Sequence, residues 1–239
     1  MIVDVSCRSG VQISVDDIRS SWFESLRTPV LLSRHARIYI FEVINMTDYA
    51  VFGDSIARGA YDPKNGGWVR LLEASIETKT YGDKVYNLGV SGDTSTSLLK
   101  RFNPELSARE PDIVLIAIGI NDGRLDRFTG KPQVDISTFK SNLEKIYSIC
   151  KSSAFVKKII FIGISRVDEK KVNPWKDKVF YYNKTIKEYD SAIQKIAQSH
   201  KLLFIPMNDI LEDSDICDGL HPNEKGHKKM FKRVTDYLT

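Results

Sequence analysis

From residue 48 onward, short apolar runs alternate with longer segments in which apolar residues recur at helical spacing. The apolar runs predict strands at 48–53, 84–89, 112–119, 157–163 and 202–206. The intervening segments predict helices at about 67–79, 95–109, 137–153, 179–200 and 223–238. Strands that alternate with helices pair in parallel, and right-handed crossovers place helices on both faces of the sheet. The pattern therefore predicts an α/β domain built on one parallel sheet.

The first 45 residues differ in composition from the rest of the chain. They contain five arginines and no lysine, whereas residues 46–239 contain 22 lysines and eight arginines. Met46 stands two residues before the first predicted strand, where a compact domain could begin. We therefore interpret residues 1–45 as an N-terminal appendage, which could be an extension read from an upstream start, and residues 46–239 as one compact domain.

The apolar runs and the cysteines indicate the cellular location of the protein. The longest apolar run, at 113–120, is far shorter than the roughly 18 residues that cross a bilayer. The N-terminus lacks the basic segment and apolar segment of a secretion signal. The three cysteines show no metal-binding spacing, and their odd number suits a reducing compartment. We expect a cytoplasmic protein without a stable membrane anchor, and we expect Cys217 to be a buried structural residue.

The charge pattern does not indicate a nucleic-acid partner. The net charge is +4, and acidic residues are interspersed along the whole chain. The densest basic cluster falls at helical spacing near the C-terminus: Lys225, Lys228, Lys229, Lys232 and Arg233. This spacing is more typical of a solvated helix face than of an anion-binding patch.

Polar and glycine-containing stretches lie beyond the ends of four of the predicted strands, immediately after the first three of these strands and further along the chain after the last. The first strand is followed by GDS, the second by NLGVSGDTS, the third by GIND and the fifth by DGLHP. In an open parallel sheet, the ligand site lies beyond the carboxyl ends of the strands. We therefore expect all four stretches to meet at one rim of the sheet.

One of these stretches contains a candidate nucleophile, Ser55. A serine hydroxyl needs a neighbouring base, best a histidine whose second ring nitrogen is held by a carboxylate. Asp218 and His221 are three residues apart in a glycine-containing loop and offer that pair. Alone, GDS after a strand would more often be a turn or a helix cap. The shared rim position of the other stretches favours catalysis.

The same rim offers donors for an oxyanion. Acyl transfer places negative charge on the carbonyl oxygen, and N–H groups must stabilise it. The backbone N–H of Ser55, the N–H of Gly92, where no Cβ blocks the approach, and the side-chain amide of Asn121 are candidates. The neighbouring carboxylates have no required step, and we assign them to hydrogen bonds within loops: Asp54, Asp93 and Asp122.

These stretches resemble the four signature blocks of the SGNH hydrolases, also called the GDSL esterase/lipase family. The resemblance lies in GDSI, in Gly92 within SGDTS, in GIND and in DGLHP, in the family's order over about residues 48–239. Ile56 replaces the leucine of the family name, an apolar exchange that leaves the chemistry intact.

The resemblance implies a three-layer α/β/α sandwich whose five-stranded parallel sheet has the flavodoxin-like order 2-1-3-4-5. It also implies ester hydrolysis with no cofactor and no metal, on a small-molecule or acylated ester substrate. Ser55 would be the nucleophile, His221 the general base and Asp218 its orienting partner. Gly92 and Asn121 would complete the oxyanion hole with the Ser55 amide.

The connection at 165–183 is long, and long connections often form binding loops. Its aromatic residues Trp175, Phe180 and Tyr181 would then line the substrate pocket, together with Tyr182. The same residues could instead start the next helix and pack on the sheet. The sequence leaves these two interpretations open.

Two alternatives to a serine hydrolase follow from the same residues. The first is a non-catalytic module that binds a carbohydrate or a nucleotide at the rim. The second is a metallohydrolase that uses Asp218, His221 and His227, although two histidines six residues apart do not have the usual helical ligand spacing. Within the hydrolase hypothesis, acetylated sugars, lysophospholipids, thioesters and short acyl esters stay open, since specificity lies in loops.

Overall fold

The computed structural model describes residues 46–80 and 82–238, so the predicted appendage at 1–45 lies outside the described residues. Seven strands occur in this part of the chain: β1 (Asp48–Gly53), β2 (Lys84–Gly89), β3 (Ile113–Ala117), β4 (Leu125–Asp126), β5 (Lys158–Ile162), β6 (Val179–Phe180) and β7 (Leu203–Ile205). Five of them form a parallel sheet in the order β2-β1-β3-β5-β7. Numbered along the chain within that sheet, the order is 2-1-3-4-5, which confirms the predicted topology.

The central strands owe their continuous apolar sequences to burial on both faces. Ala50, Val51 and Phe52 of β1 and Val114 and Leu115 of β3 are completely buried. Strands covered on both sides show unbroken apolar runs rather than alternation. Among the helices at residues 46–80 and 82–238, none has the length and apolar composition needed to cross a bilayer.

Helices cover both faces of this sheet and complete the three-layer α/β/α sandwich. They are α1 (Ser55–Arg58), α2 (Gly67–Glu77), α3 (Ser95–Arg109), α4 (Ile136–Ser152), α5 (Glu169–Val172), α6 (Asn183–Ser199) and α7 (Glu224–Leu238), with a 3-10 turn at Asp213–Asp215. α2 packs against α7, whereas α3 packs against α4 and α4 against α6. The predicted fold class is confirmed.

Side chains at the carboxyl ends of the strands start the helices that follow. Asp54 caps α1 by accepting a hydrogen bond from the N–H of Ile56. Thr94 caps α3 and forms a capping box with Ser97. Such caps satisfy N–H groups that the first helical turn leaves without partners. The polar residues after the strands therefore fix where the chain turns back across the sheet.

The connection at 165–183 is more ordered than a simple loop. It contains α5, and its last part forms β6, which pairs with β4 in a separate antiparallel sheet. The helix predicted at 179–200 therefore begins only at Asn183, and Phe180 lies in a strand. Two-residue strands are too short to show a period, so the sequence pattern could not separate them from the helix.

The basic cluster near the C-terminus lies on α7, as predicted, and its cations pair with carboxylates. Each pair joins α7 to itself or to a neighbouring loop: Lys225 and Lys229 with Asp215, Lys228 with Glu224, Lys232 with Asp236, and Arg233 with Asp209. Such pairing is typical of a solvated helix face and leaves no concentrated positive surface there.

Candidate active site

Ser55 and His221 lie 166 positions apart in the sequence but in hydrogen-bond contact at the carboxyl rim of the sheet. Ser55 Oγ is 2.9 Å from His221 Nε2, and His221 Nδ1 is 2.8 Å from Asp218 Oδ2. Ser55 and His221 are buried, with 8% and 7% of their surfaces exposed. The structure therefore brings the three predicted triad residues together in one hydrogen-bonded chain.

Close packing after β1 determines the position of Ser55. A Cβ on Gly53 would lie 2.5 Å from the Cβ of Ala57 and 2.6 Å from the carbonyl oxygen of Ala117. Only glycine allows this approach of α1 to β3. Because Asp54 caps α1, Ser55 becomes the first residue of that helix, with its side chain facing the rim.

A single carboxylate arranges the loop that carries His221. Asp218 Oδ1 accepts hydrogen bonds from the backbone N–H groups of Leu220, at 3.0 Å, and of His221, at 2.8 Å. Its other oxygen, Oδ2, contacts the imidazole of His221. Gly219 adopts a φ of +91°, which allows the tight turn between them. Asp218 therefore orients both the backbone and the ring of His221.

The ionisation of Asp218 determines which tautomer of His221 is present. Burial alone would raise the pKa of Asp218, but the hydrogen bonds from the ring and backbone of His221 and from Leu220 outweigh it and hold the pKa well below its usual range. An ionised carboxylate can only accept, so Nδ1 of His221 carries the hydrogen. Nε2 is then free to accept the hydroxyl hydrogen of Ser55.

The predicted oxyanion donors line one cavity of about 750 Å³ together with Ser55 and His221. Asn121 is buried; its Nδ2 donates to the carbonyl of Asp93 at 3.0 Å, and its Oδ1 accepts from the hydroxyl of Tyr181 at 3.1 Å. These two bonds fix the plane of the amide and leave its second N–H available. Within the described part of the chain, the backbone N–H groups of Ser55 and Gly92 have no hydrogen-bond acceptor.

The backbone conformation at position 92 favours glycine. Its φ of +84° lies in the left-handed region that favours glycine. A Cβ at this position would meet nothing within 4 Å. The missing Cβ leaves the approach to the N–H open, as the sequence predicts, and the positive φ is a second, conformational reason for glycine at this position.

The long connection contributes two of the four predicted pocket residues. Trp175 and Tyr181 line the cavity, and Tyr181 is almost fully buried. Phe180 and Tyr182 are not among the residues that line it; their rings stack on each other with 5.9 Å between centroids. Phe180 alternates with Tyr181 along an extended segment, so the two side chains point to opposite sides.

Two aromatic rings enclose the imidazole of His221. Tyr61 stacks on it with 4.9 Å between centroids and 23° between planes, and Trp175 lies 5.6 Å away at 58°. The phenol of Tyr61 interacts with Asp218, and the hydrogen bond and the charge of that carboxylate raise the pKa of Tyr61. No pattern in the sequence indicated Tyr61, because its role depends only on contacts between distant segments.

The carboxylates beside the site take part in hydrogen bonds, but those of Asp122 and Asp93 reach residues of α3 rather than staying within loops as the sequence predicts. Asp122 accepts from the N–H and hydroxyl of Ser95, and Asp93 pairs with Arg101. Burial raises the pKa of Asp54 to about 7 and that of Asp122 to about 6. These raised pKa values could not be predicted from the sequence, since they result from desolvation in the fold.

Replacing Asp54 with asparagine should reduce the pH dependence of stability. Between about pH 4, the ordinary carboxyl pKa, and pH 7, folded Asp54 keeps a proton that the unfolded chain releases. The contribution of Asp54 to the free energy of unfolding is therefore complete below this range and declines as the pH rises through it. Asparagine cannot ionise, and its oxygen can still cap α1.

Urea unfolding of both proteins at several pH values from about 5 to 8 would measure this effect. The free energy of unfolding of Asp54→Asn, minus that of the wild type, should increase with pH. A difference that stays constant across the range would contradict the raised pKa.

His227 and Cys217 lie in different environments. His227 is fully buried; its Nδ1 accepts from the N–H of Trp68, and its Nε2 contacts the carbonyl of Ala60 at 3.0 Å. With both ring nitrogens bonded to backbone, His227 cannot join Asp218 and His221 as a metal ligand. Cys217, expected to be buried, is exposed, whereas the preceding Ile216 is buried in the core.

Comparisons with known proteins agree with this geometry. Residues 51–229 match the model of the GDSL-like Lipase/Acylhydrolase family. The chain is 25% identical to the GDSL esterase/lipase CPRD49 of Arabidopsis thaliana, over 74% of this chain and 73% of that protein. It is 26% identical to an acetylxylan esterase of Geobacillus stearothermophilus, over 71% and 79% of the two chains. The solved lipase/acylhydrolase from Enterococcus faecalis has a similar fold, with a TM-score of 0.67 and 27% identity over 81% of this chain and 95% of that chain.

Proposed function

Because the chain belongs to the GDSL-like Lipase/Acylhydrolase family and is a serine ester hydrolase, we propose that it cleaves carboxylic esters through an acyl-enzyme on Ser55. The observation that carries this proposal is the chain of hydrogen bonds from Ser55 through His221 to Asp218 at the wall of the cavity. The substrates are small-molecule or acylated esters, and we propose no nucleic-acid partner.

In the first step, Ser55 Oγ attacks the carbonyl carbon of the ester while Nε2 of His221 takes the hydroxyl proton. The ionised Asp218 stabilises the imidazolium that forms and stays unprotonated. The π electrons of the carbonyl move to its oxygen. That oxyanion accepts hydrogen bonds from the N–H groups of Ser55 and Gly92 and from the free amide hydrogen of Asn121.

In the next step, the tetrahedral intermediate collapses and the bond to the alcohol oxygen breaks. His221 donates its proton to the departing oxygen, so the alcohol leaves neutral. A water molecule then attacks the acyl-serine, with His221 again taking a proton. The bond to Ser55 Oγ breaks, the carboxylic acid leaves, and the hydroxyl of Ser55 is restored.

Trapping the acyl-enzyme tests this proposal. Mixing the protein with 4-nitrophenyl acetate and quenching in acid should give a species heavier by one acetyl group, which peptide mapping places on Ser55. A fluorophosphonate probe should label the same residue and block acetylation. Absence of both turnover and labelling would overturn the proposal and favour the non-catalytic module that binds a carbohydrate or a nucleotide.

We also propose that the protein works in a reducing compartment, the cytoplasm. Cys150 is buried and Cys217 is exposed, and both are free thiols. An exposed free thiol survives best where cellular reductants keep it reduced. Cell fractionation with an antibody to the protein would test this location.

A further inference from the structure

The cavity around Ser55 has an excess of positive charge. Four cationic side chains line it: Arg58, Arg124, Lys176 and Lys178. Among the described lining residues, Asp126 is the one carboxylate. Asp126 already accepts hydrogen bonds from the backbone N–H of Thr129, from its hydroxyl and from the N–H of Phe128. These hydrogen bonds lower the pKa of Asp126, so it is ionised, and one negative charge against four positive charges leaves the lining of the cavity positive.

The described arginines fall into two groups, those in ion pairs and those that line the cavity. Residues 46–80 and 82–238 contain eight arginines, of which six form ion pairs with Asp or Glu: Arg70, Arg101, Arg109, Arg127, Arg166 and Arg233. Arg58 and Arg124 form no ion pair with a carboxylate within 4.0 Å in this part of the chain, although the charge of Arg124 partly offsets the burial that raises the pKa of Asp122, and both arginines line the cavity. The described arginines that lack a direct ion pair are thus the ones that line the cavity of the candidate active site.

Arg124 has unused hydrogen-bonding capacity. Its Nη1 and Nη2 make two long contacts with neutral amide oxygens, Oδ1 of Asn121 and Oε1 of Gln133, each at 3.4 Å. Its guanidinium also interacts with the phenol of Tyr181, which is neutral as well. Its Nε is buried without an acceptor. Buried polar groups in folded proteins are normally satisfied, and a guanidinium has five N–H donors. Donors left unpaired at a cavity wall indicate a ligand that accepts hydrogen bonds.

The position of Arg124 places this ligand group beside the reacting ester. Arg124 contacts Asn121, which also supplies the amide N–H proposed for the oxyanion hole. The planar fork of a guanidinium matches the two oxygens of a carboxylate or phosphate. A charged group on the substrate could therefore bind Arg124 while the ester carbonyl lies at Ser55.

We propose that the natural ester carries an anionic oxygen group, a carboxylate or phosphate, and that Arg124 binds it as the residue that determines specificity. This inference rests on the proposed esterase function. Arg58 and the two lysines add a positive field that favours the same substrates and weakens with salt.

Matched pairs of esters test the proposal on both sides of the scissile bond. For the acyl side, 4-nitrophenyl butyrate is compared with the mono-4-nitrophenyl ester of glutarate. For the alcohol side, methyl 4-acetoxybenzoate is compared with 4-acetoxybenzoate. Rates with the Ser55→Ala variant are subtracted as background. We expect kcat/KM for at least one anionic ester to exceed that of its neutral partner by about tenfold or more, chiefly through KM.

Variants of two arginines make the test specific. Arg124→Gln should reduce the ratio of anionic to neutral kcat/KM by about tenfold to hundredfold, and Arg124→Lys should restore part of it. Arg127→Gln is the matched control, because Arg127 pairs with Asp177 and is not among the residues that line the cavity. The control should keep the wild-type ratio.

The outcomes separate the two proposals. Equal rates on neutral and anionic esters, or a ratio that survives in Arg124→Gln, would overturn the anionic substrate while the esterase assignment stands. No turnover of any ester, together with an unlabelled Ser55, would instead overturn the proposed function itself.

Discussion

The Ser55→Ala variant should hydrolyse 4-nitrophenyl acetate at least about 10⁶-fold more slowly in kcat than the wild type. The loss is this large because the hydroxyl that His221 activates at 2.9 Å is the attacking group, and alanine cannot form the acyl-enzyme. Some acceleration should persist, since the oxyanion donors and the cavity stay in place.

The fold of Ser55→Ala should be retained. The substitution removes one hydrogen bond and leaves Nε2 of His221 without its partner, a cost of about 1–3 kcal/mol. Ser148→Ala provides the control, because Ser148 is exposed on α4 and bonds only to the backbone of its own helix. Circular dichroism melts and steady-state rates would be measured for all three proteins. Wild-type turnover by purified Ser55→Ala would refute the assignment of the nucleophile.

Asp218→Asn should lower kcat by about 10⁴ while preserving the loop. The oxygen of asparagine can still accept from the N–H groups of Leu220 and His221. Its NH₂ group, however, would donate to Nδ1 of His221 and place the ring hydrogen on Nε2. That nitrogen could then no longer accept the proton of Ser55, so the base would be present in the wrong tautomer.

Rates at saturating ester, compared with those of Asp209→Asn, would measure the effect. Asp209 forms an ion pair with Arg233 on the surface and serves as a matched loss of one carboxylate. A decrease of less than tenfold in Asp218→Asn would contradict the orienting role. A decrease in kcat accompanied by a lower melting temperature would indicate that the substitution disrupts the turn at Gly219. Thermal melts of the variant therefore separate loss of the turn from loss of the correct tautomer.

Regular, strongly periodic segments could be predicted from the sequence. The bounds of β1, β2 and α3 agree with the prediction, because apolar runs and polar caps coincide there. The convergence of Ser55, His221 and Asn121 followed from a single topological rule, that the carboxyl ends of parallel strands share one rim. Here local sequence and global topology favour the same arrangement.

Features that depend on contacts between distant segments could not be predicted. The pairing of β4 with β6 joins two-residue strands, and it turns Phe180 away from the cavity where Trp175 and Tyr181 lie. The stacking of Tyr61 on His221 has no periodic signal. Sequence likewise does not distinguish Arg124 and Arg58, which form no ion pair, from the six other described arginines, which do.

The double task of Asp218 restricts side-chain length at this position as well as charge. One oxygen must reach N–H groups two and three residues ahead, and the other must reach a ring on the same turn. A glutamate has the charge but an extra methylene, which would displace the carboxylate from one set of donors or the other. Aspartate is thus the only acidic residue whose length suits both donor sets. A glutamate at this position would keep the negative charge of the loop but would leave the imidazole of His221 misaligned.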